Sequence, residues 1–144
     1  MFIEIEGFSD LNNDKYQAFL DLRSKIYVED LKYNKFHEFD GKDSKSNFYL
    51  LNNSGKYVAF LRYTSDKNNI LIDRFGVENN FRRQAFGSLL LRYVIKDLLP
   101  SKKNIQIISS ENKIGFFKIF GFQKTLQQIK IGEKELLLLE LKKQ

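Results

Sequence analysis

Apolar residues along the chain fall into short runs divided by polar, turn-forming stretches, and the period within each run predicts an element. Residues 2–6 read as a first strand, followed by a turn-rich stretch at 9–13. Asn13 or Asp14 can cap a helix reaching about residue 29, whose Tyr16, Phe19, Leu20, Leu22, Ile26 and Tyr27 recur mostly at helical spacing and give it one buried face. From 30 to 46 the chain is polar and irregular, a long loop of the kind that is functional or mobile in a small domain. Residues 47–51 and 57–63 are strands flanking Asn52-Asn53-Ser54-Gly55, a hairpin signal. A polar turn at 65–69 leads into a strand at 70–77. A helix from about 83 to 99 follows, ended by Pro100 and Ser101, with Phe81, Phe86, Leu89, Leu90, Tyr93 and Val94 marking its buried face. Residues 105–109 form an isoleucine-rich strand of the buried type. Residues 112–120 form a short helix, with Phe116, Ile119 and Phe120 inward and Gly121 placed as a left-handed C-cap. The end, 122–131 and 135–141 around Gly132, reads as a hairpin whose apolar residues 136–139 could pair or pack across a dimer.

A strand, helix and strand in the second half imply a right-handed crossover, so the class is α/β (α+β), a mixed sheet flanked by helices. The 144 residues suit a single domain spanning 1–144, with no internal repeat or linker. Hydrophobic residues at 42% and aromatics at 15% argue for a folded globule over a disordered chain. There is no cysteine, which removes disulfides and thiolate chemistry and fits a reducing cytoplasm, the expected location. The amino terminus lacks a basic region followed by an apolar run, and no apolar run reaches membrane-spanning length. The net charge of +6 admits nucleic acid or a small polyanion. Lysines scattered from Lys15 to Lys143, without a long basic run or interleaved aromatics, disfavour nucleic acid. One histidine, His37 beside Glu38, has no partner at ligand spacing, so no metal is expected.

The stretch from Leu71 to Leu91 concentrates the candidate chemistry. A strand, a basic turn and a helix start follow one another, and the free N–H groups and positive dipole of a helix N-terminus make an anion site. Arg82 and Arg83 are unfavourable at such a mouth unless an anion arrives. Gly87 lets a ligand approach the backbone. Asp73 either reaches the cleft through water as a base, on the face of Phe75 and Val77 if the strand is regular, or pairs with Arg62 or Arg74. Glu38, Asp40 and Asp43 either bind a cationic amine or are simply solvated. Lys113 and Lys118 screen phosphates or face solvent.

Arg82-Arg83-Gln84-Ala85-Phe86-Gly87, opening the helix, resembles the R/Q-x-x-G-x-G/A pyrophosphate motif of the GNAT superfamily of N-acetyltransferases. Gly115-Phe116-Phe117-Lys118-Ile119-Phe120-Gly121-Phe122 resembles its F-Y-x-x-x-G-F segment. Residues 23–30 and 38–43 are similar to a subgroup with R-x-x-V-F-V-x-E and E-x-D-x-x-D segments, matched at the first through conservative exchanges with Asp30 in the place of Glu. Acyl-homoserine-lactone synthases carry a related pattern. The resemblance implies a mostly antiparallel central sheet whose strand at 70–77 splays from that at 105–109, with acetyl-CoA as co-substrate and its pantetheine arm in the gap. It implies that Phe75, Gly76 and Val77 hold this arm, that the Val77 N–H polarises the thioester, and that backbone from Arg83 to Ser88 (Arg83, Gln84, Ala85, Phe86, Gly87, Ser88), beside Arg82, cradles the pyrophosphate. Asn112 and Phe117 become cofactor contacts, and Glu38 and Asp40 acceptor contacts.

Two departures stand out. Ala85 replaces the first motif glycine, which a right-handed conformation would tolerate. Phe117 stands where the family commonly has the tyrosine proposed to protonate the departing thiolate, and phenylalanine has no proton to give. The expected activity is transfer of an acetyl group to a primary amine, small molecule or peptide, in a ternary complex, by a monomer or homodimer. Alternatives are a longer acyl donor, or a CoA-binding regulatory module with little catalysis.

Overall fold

The computed structural model describes residues 2–30, 40–131 and 133–142. Among these, seven strands form one sheet: β1 (Ile3–Phe8), β2 (Asn47–Asn53), β3 (Lys56–Ser65), β4 (Asn69–Val77), β5 (Asn104–Ser109), β6 (Phe122–Ile131) and β7 (Lys134–Leu141). They lie in the order β1-β2-β3-β4-β5-β7-β6, and every neighbouring pair is antiparallel except β4 and β5. The parallel pair follows from the crossover through α2 (Phe86–Leu98), which with α3 (Ile114–Ile119) covers one face. The opposite face is covered by α1 (Asp14–Arg23), whose Asn13 side chain caps the Lys15 N–H at 2.9 Å, and by the π-helical turn Ser24–Asp30 that prolongs it.

Strand alternation sorts the core into two layers. Phe48, Leu50 and Phe60 meet Phe19, Leu22 and Ile26 of the α1 side. Leu51, Leu61, Ile72, Ile105 and Ile107 meet Phe86, Leu90, Leu91, Val94 and Phe117 on the other. The hairpin signal at 52–55 forms its turn with both Ser54 (φ 52°) and Gly55 (φ 96°) left-handed, as a two-residue loop between twisted strands requires.

Four expectations are corrected. The long helix begins at Phe86 and not near 83, so Leu91 and Leu98 are buried, and Leu89 and Tyr93 lie exposed. The short helix buries Ile114 and Phe117 and leaves Ile119 exposed, because its first turn is 3-10 (Glu111–Lys113), which changes the phase of the inward positions. Asn112, expected as the first residue of the short helix, lies instead inside that 3-10 turn, and the helix begins at Ile114; the Asn112 Oδ1 accepts a bond from the Ser110 hydroxyl. Finally, β7 runs between β5 and β6, so residues 136–139 already have partners on both sides; β1 and β6 are the sheet edges. No helix among the described residues is long and apolar enough to cross a membrane.

Candidate functional site

The site begins with a defect in the sheet. Arg62 of β3 lies opposite Arg74, but its neighbour Tyr63 lies opposite Ile72, so Asp73 is the extra residue of a β-bulge. The parallel ladder between β4 and β5 ends at the same point, at Ile72 and Ile107. Beyond it a cavity of about 350 Å³ opens, lined by Asp73, Arg74 and Phe75 on one side and Ile108 and Ser109 on the other. The bulge also re-aims side chains. Asp73 and Arg74 turn toward the α1 face, and Phe75 and Val77 toward α2 and α3, so Asp73 does not share their face as a regular strand would have it.

Backbone polarity follows from the same register. The Glu78 N–H donates to the Val58 carbonyl at 2.8 Å, which makes 58 and 78 a hydrogen-bonded pair. By alternation 59/77 and 61/75 are not, so the N–H and C=O of Phe75 and Val77 point away from β3, into the cleft. Two neighbours confirm this direction. The Val77 carbonyl accepts from Arg82 Nε at 3.0 Å. Phe75 donates its N–H to the Tyr27 hydroxyl (2.9 Å), which donates back to the Phe75 carbonyl (3.1 Å). Gly76, between them, faces α1 so closely that a Cβ would lie 2.8 Å from Ile26 Cγ2.

A second cavity of about 390 Å³ adjoins the first and shares Phe75, Asn112 and Lys113 with it. Gly76, Val77, Arg82, Arg83, Ala85, Gly87 and Ser88 line it, and among the described residues no carboxylate does. Arg83 (φ 67°) and Ala85 (φ 66°) are both left-handed, against the right-handed conformation expected for Ala85. Left-handed Ala85 followed by helical Phe86 turns successive N–H groups to one side, the concavity that holds anions, and no side chain caps α2 there. Each such non-glycine residue costs on the order of 1 kcal/mol, which is tolerated where the geometry serves a ligand. Loss of hydration, and then the Arg82 charge, shift the Lys113 ammonium below its ordinary pKa, a strain that an anion would relieve. Gln84 sits exposed between the two left-handed residues.

The acidic residues have another fate. Arg62, with no exposed surface, binds Asp73 through Nε and Nη2 (2.9 and 2.8 Å), Asp40 through Nη1 and Nη2 (3.1 and 2.9 Å), and Asp43 through Nη1 (2.9 Å). Arg23 binds Asp43 at 2.8 Å, and Arg74 lies 3.6 Å from Asp40. Burial raises the Asp40 carboxyl, but Arg62, the Lys42 N–H and Arg74 outweigh it and hold the group at about 2. Three arginines thus meet three aspartates. Both Asp73 oxygens are bound to the Arg62 guanidinium, so the pairing alternative is the one observed. Asp40 likewise binds arginine where an amine ligand was expected. Glu38 lies outside the described residues. The sequence marks Arg23 and Tyr27 only as motif and core positions, and their place within the R-x-x-V-F-V-x-E-like segment is the signal it offers for a role at the cleft.

The profile of the acetyltransferase (GNAT) domain matches residues 11–138. No curated protein matches the sequence. Among solved structures, an acyl-CoA N-acyltransferase from Pseudomonas aeruginosa is similar at 17% identity and a TM-score of 0.83, over 98% of this chain and 100% of that one. ElaA from Escherichia coli gives 17% and 0.84 over the same shares. A GNAT family acetyltransferase from Elizabethkingia anophelis with acetyl-CoA bound gives 18% and 0.70, over 96% and 97%.

Proposed function

The chain belongs to the GNAT acetyltransferase family, and on that premise we propose that it transfers an acetyl group from acetyl-CoA to a primary amine by direct attack in a ternary complex. One observation carries the reading: a cavity lined, among the described residues, by three cations, a left-handed turn and no carboxylate adjoins a gap toward which β4 turns the N–H and C=O of Phe75 and Val77. The cradle suits the pyrophosphate, with Arg83 to Ser88 around it and Arg82 and Lys113 beside it. The cleft edge of β4 suits the pantetheine arm, which adds to it as a strand would. The N–H of Val77 is placed to meet the oxyanion that forms when an amine attacks the thioester, a donor that needs no reorganisation. Asn112 and Phe117 wall the junction of the two cavities and the inner one respectively.

Asp73 takes a positioning role here: its ion pair with Arg62 fixes the bulge from which the cleft opens. Acceptors, whether small amines or peptides, enter the first cavity, where Glu135 of β7 is, among the described lining residues, the carboxylate outside the arginine network. Phe117 favours a second reading, a CoA-binding module with little turnover. The test is a thermal shift with acetyl-CoA, CoA and ATP, followed by thiol release across a panel of primary amines. Stabilisation by both CoA forms with amine-dependent thiol release is expected. No shift at saturating acetyl-CoA overturns every CoA-dependent reading, and a shift without thiol release selects the binding module.

A further inference from the structure

Resting on that reading, we infer that Tyr27 supplies the proton that Phe117 lacks, donating it to the sulfur of the departing CoA. Among the described residues lining the two cavities it is the only tyrosine. It reaches the gap from the face opposite Phe117: its ring stands edge-on to Phe60 at 5.8 Å on the α1 side, whereas the Phe75 ring packs against Phe117 at 6.0 Å on the other. The π-helical turn Ser24–Asp30 widens the helix where Tyr27 sits and carries the phenol inward to β4.

The hydroxyl's two bonds to described residues have different meanings. The Phe75 N–H donates to the phenol oxygen at 2.9 Å, and this bond strengthens if the oxygen becomes negative. The Arg74 guanidinium, 5.6 Å from the ring centroid, favours the same charge. The phenol's own proton goes to the Phe75 carbonyl at 3.1 Å, a group on the edge that an acyl-pantetheine arm would occupy. An arm laid there competes for that carbonyl and brings its sulfur into the gap, where the proton can turn to it.

In the step itself the amine nitrogen forms a bond to the acyl carbon, the carbon–sulfur bond breaks with its electron pair on sulfur, and the Tyr27 proton moves to sulfur to give the thiol. The surplus proton of the new amide nitrogen returns to the Tyr27 oxygen through water, and the residue is restored.

The test uses the full chain and Tyr27→Phe, with acetyl-CoA and hydroxylamine as a small surrogate acceptor. Thiol release is expected to fall about tenfold or more in kcat, at the low end for general acids because a thiolate leaves readily, with the acetyl-CoA thermal shift kept. Adding Phe117→Tyr to Tyr27→Phe should recover part of the loss. Independent of turnover, protein labelled with carbon-13 at the tyrosine ring carbon bearing oxygen should show the Tyr27 resonance, identified by its absence from Tyr27→Phe, moving with CoA but not with desulfo-CoA, which lacks the sulfur. A kcat within twofold of the parent, or equal responses to the two ligands, overturns the assignment. Failure of both ligands to stabilise the protein overturns the CoA reading beneath it.

Discussion

Replacing Arg62 by methionine removes the one cation that, among the described residues, touches Asp40, Asp43 and Asp73 together, in a side chain of similar reach. Asp43 keeps Arg23 at 2.8 Å and Asp40 keeps Arg74 at 3.6 Å, but Asp73 loses both of its guanidinium bonds inside a side-chain environment only 7% exposed. Leaving one buried charge without its partner costs roughly 3–5 kcal/mol. Set against a typical domain stability of about 5–15 kcal/mol, that is a large fraction, and it corresponds to a fall in Tm of roughly 10–15 °C for a chain of this length. The pH dependence gives the argument a sign. In the parent the Asp40 carboxyl is held at about 2, below its ordinary 3.8, so its contribution is present above about pH 4 and is lost as pH falls toward 2. Without Arg62 the burial that pushes this carboxyl up remains and most of what pulls it down is gone, so protonation begins at higher pH and relieves the variant. The gap in Tm between parent and variant, followed by circular dichroism, should therefore be widest near pH 7.5 and narrow at pH 4.5. A fall under about 3 °C, equal at both pH values, would refute the view that the arginine compensates buried charge.

Ala85→Gly removes the Cβ from a residue at φ 66° and should raise Tm by a few degrees while preserving the acetyl-CoA thermal shift; the gain is about 0.5–1 kcal/mol after the extra freedom of glycine in the unfolded chain is deducted. A lower Tm would show that the turn is not strained. Gly76→Ala places a methyl 2.8 Å from Ile26 Cγ2 and 3.4 Å from Phe60 Cε1, so urea unfolding should lose about 1–3 kcal/mol, and an unchanged midpoint would mean that α1 yields freely.

Much of this architecture was legible in the sequence because period and punctuation act locally. The hairpin at Asn52 to Gly55, the Asn13 cap, the order of elements and the basic turn before a leucine-rich helix all follow from residues near one another. The GNAT resemblance, confirmed by the domain profile over 11–138, rested on the order of such segments. What escaped depends on counting across strands or on distant partners. A bulge is a slip of one residue, and hydrophobic alternation on either side of Asp73 does not reveal it, so the face assigned to Asp73 came out reversed. The matching of Asp40, Asp43 and Asp73 by Arg23, Arg62 and Arg74 joins residues from four parts of the chain. A helix that starts at Phe86 requires two non-glycine residues in a conformation that propensity argues against. Tyr27 looked like core because its ring is core; only its hydroxyl belongs to the cleft.

The bulge at Asp73 is also a matter of counting. One residue more on β4 than on β3 coincides with the end of the ladder with β5, and it decides that Phe75 and Val77, not Arg74 and Gly76, turn their backbone groups into the cleft. A chain one residue shorter just beyond the bulge would shift every later residue of β4 by one position against β3 and exchange the faces of Phe75, Gly76 and Val77. Which backbone groups face the cleft is thus set by a count of residues before any side chain is considered.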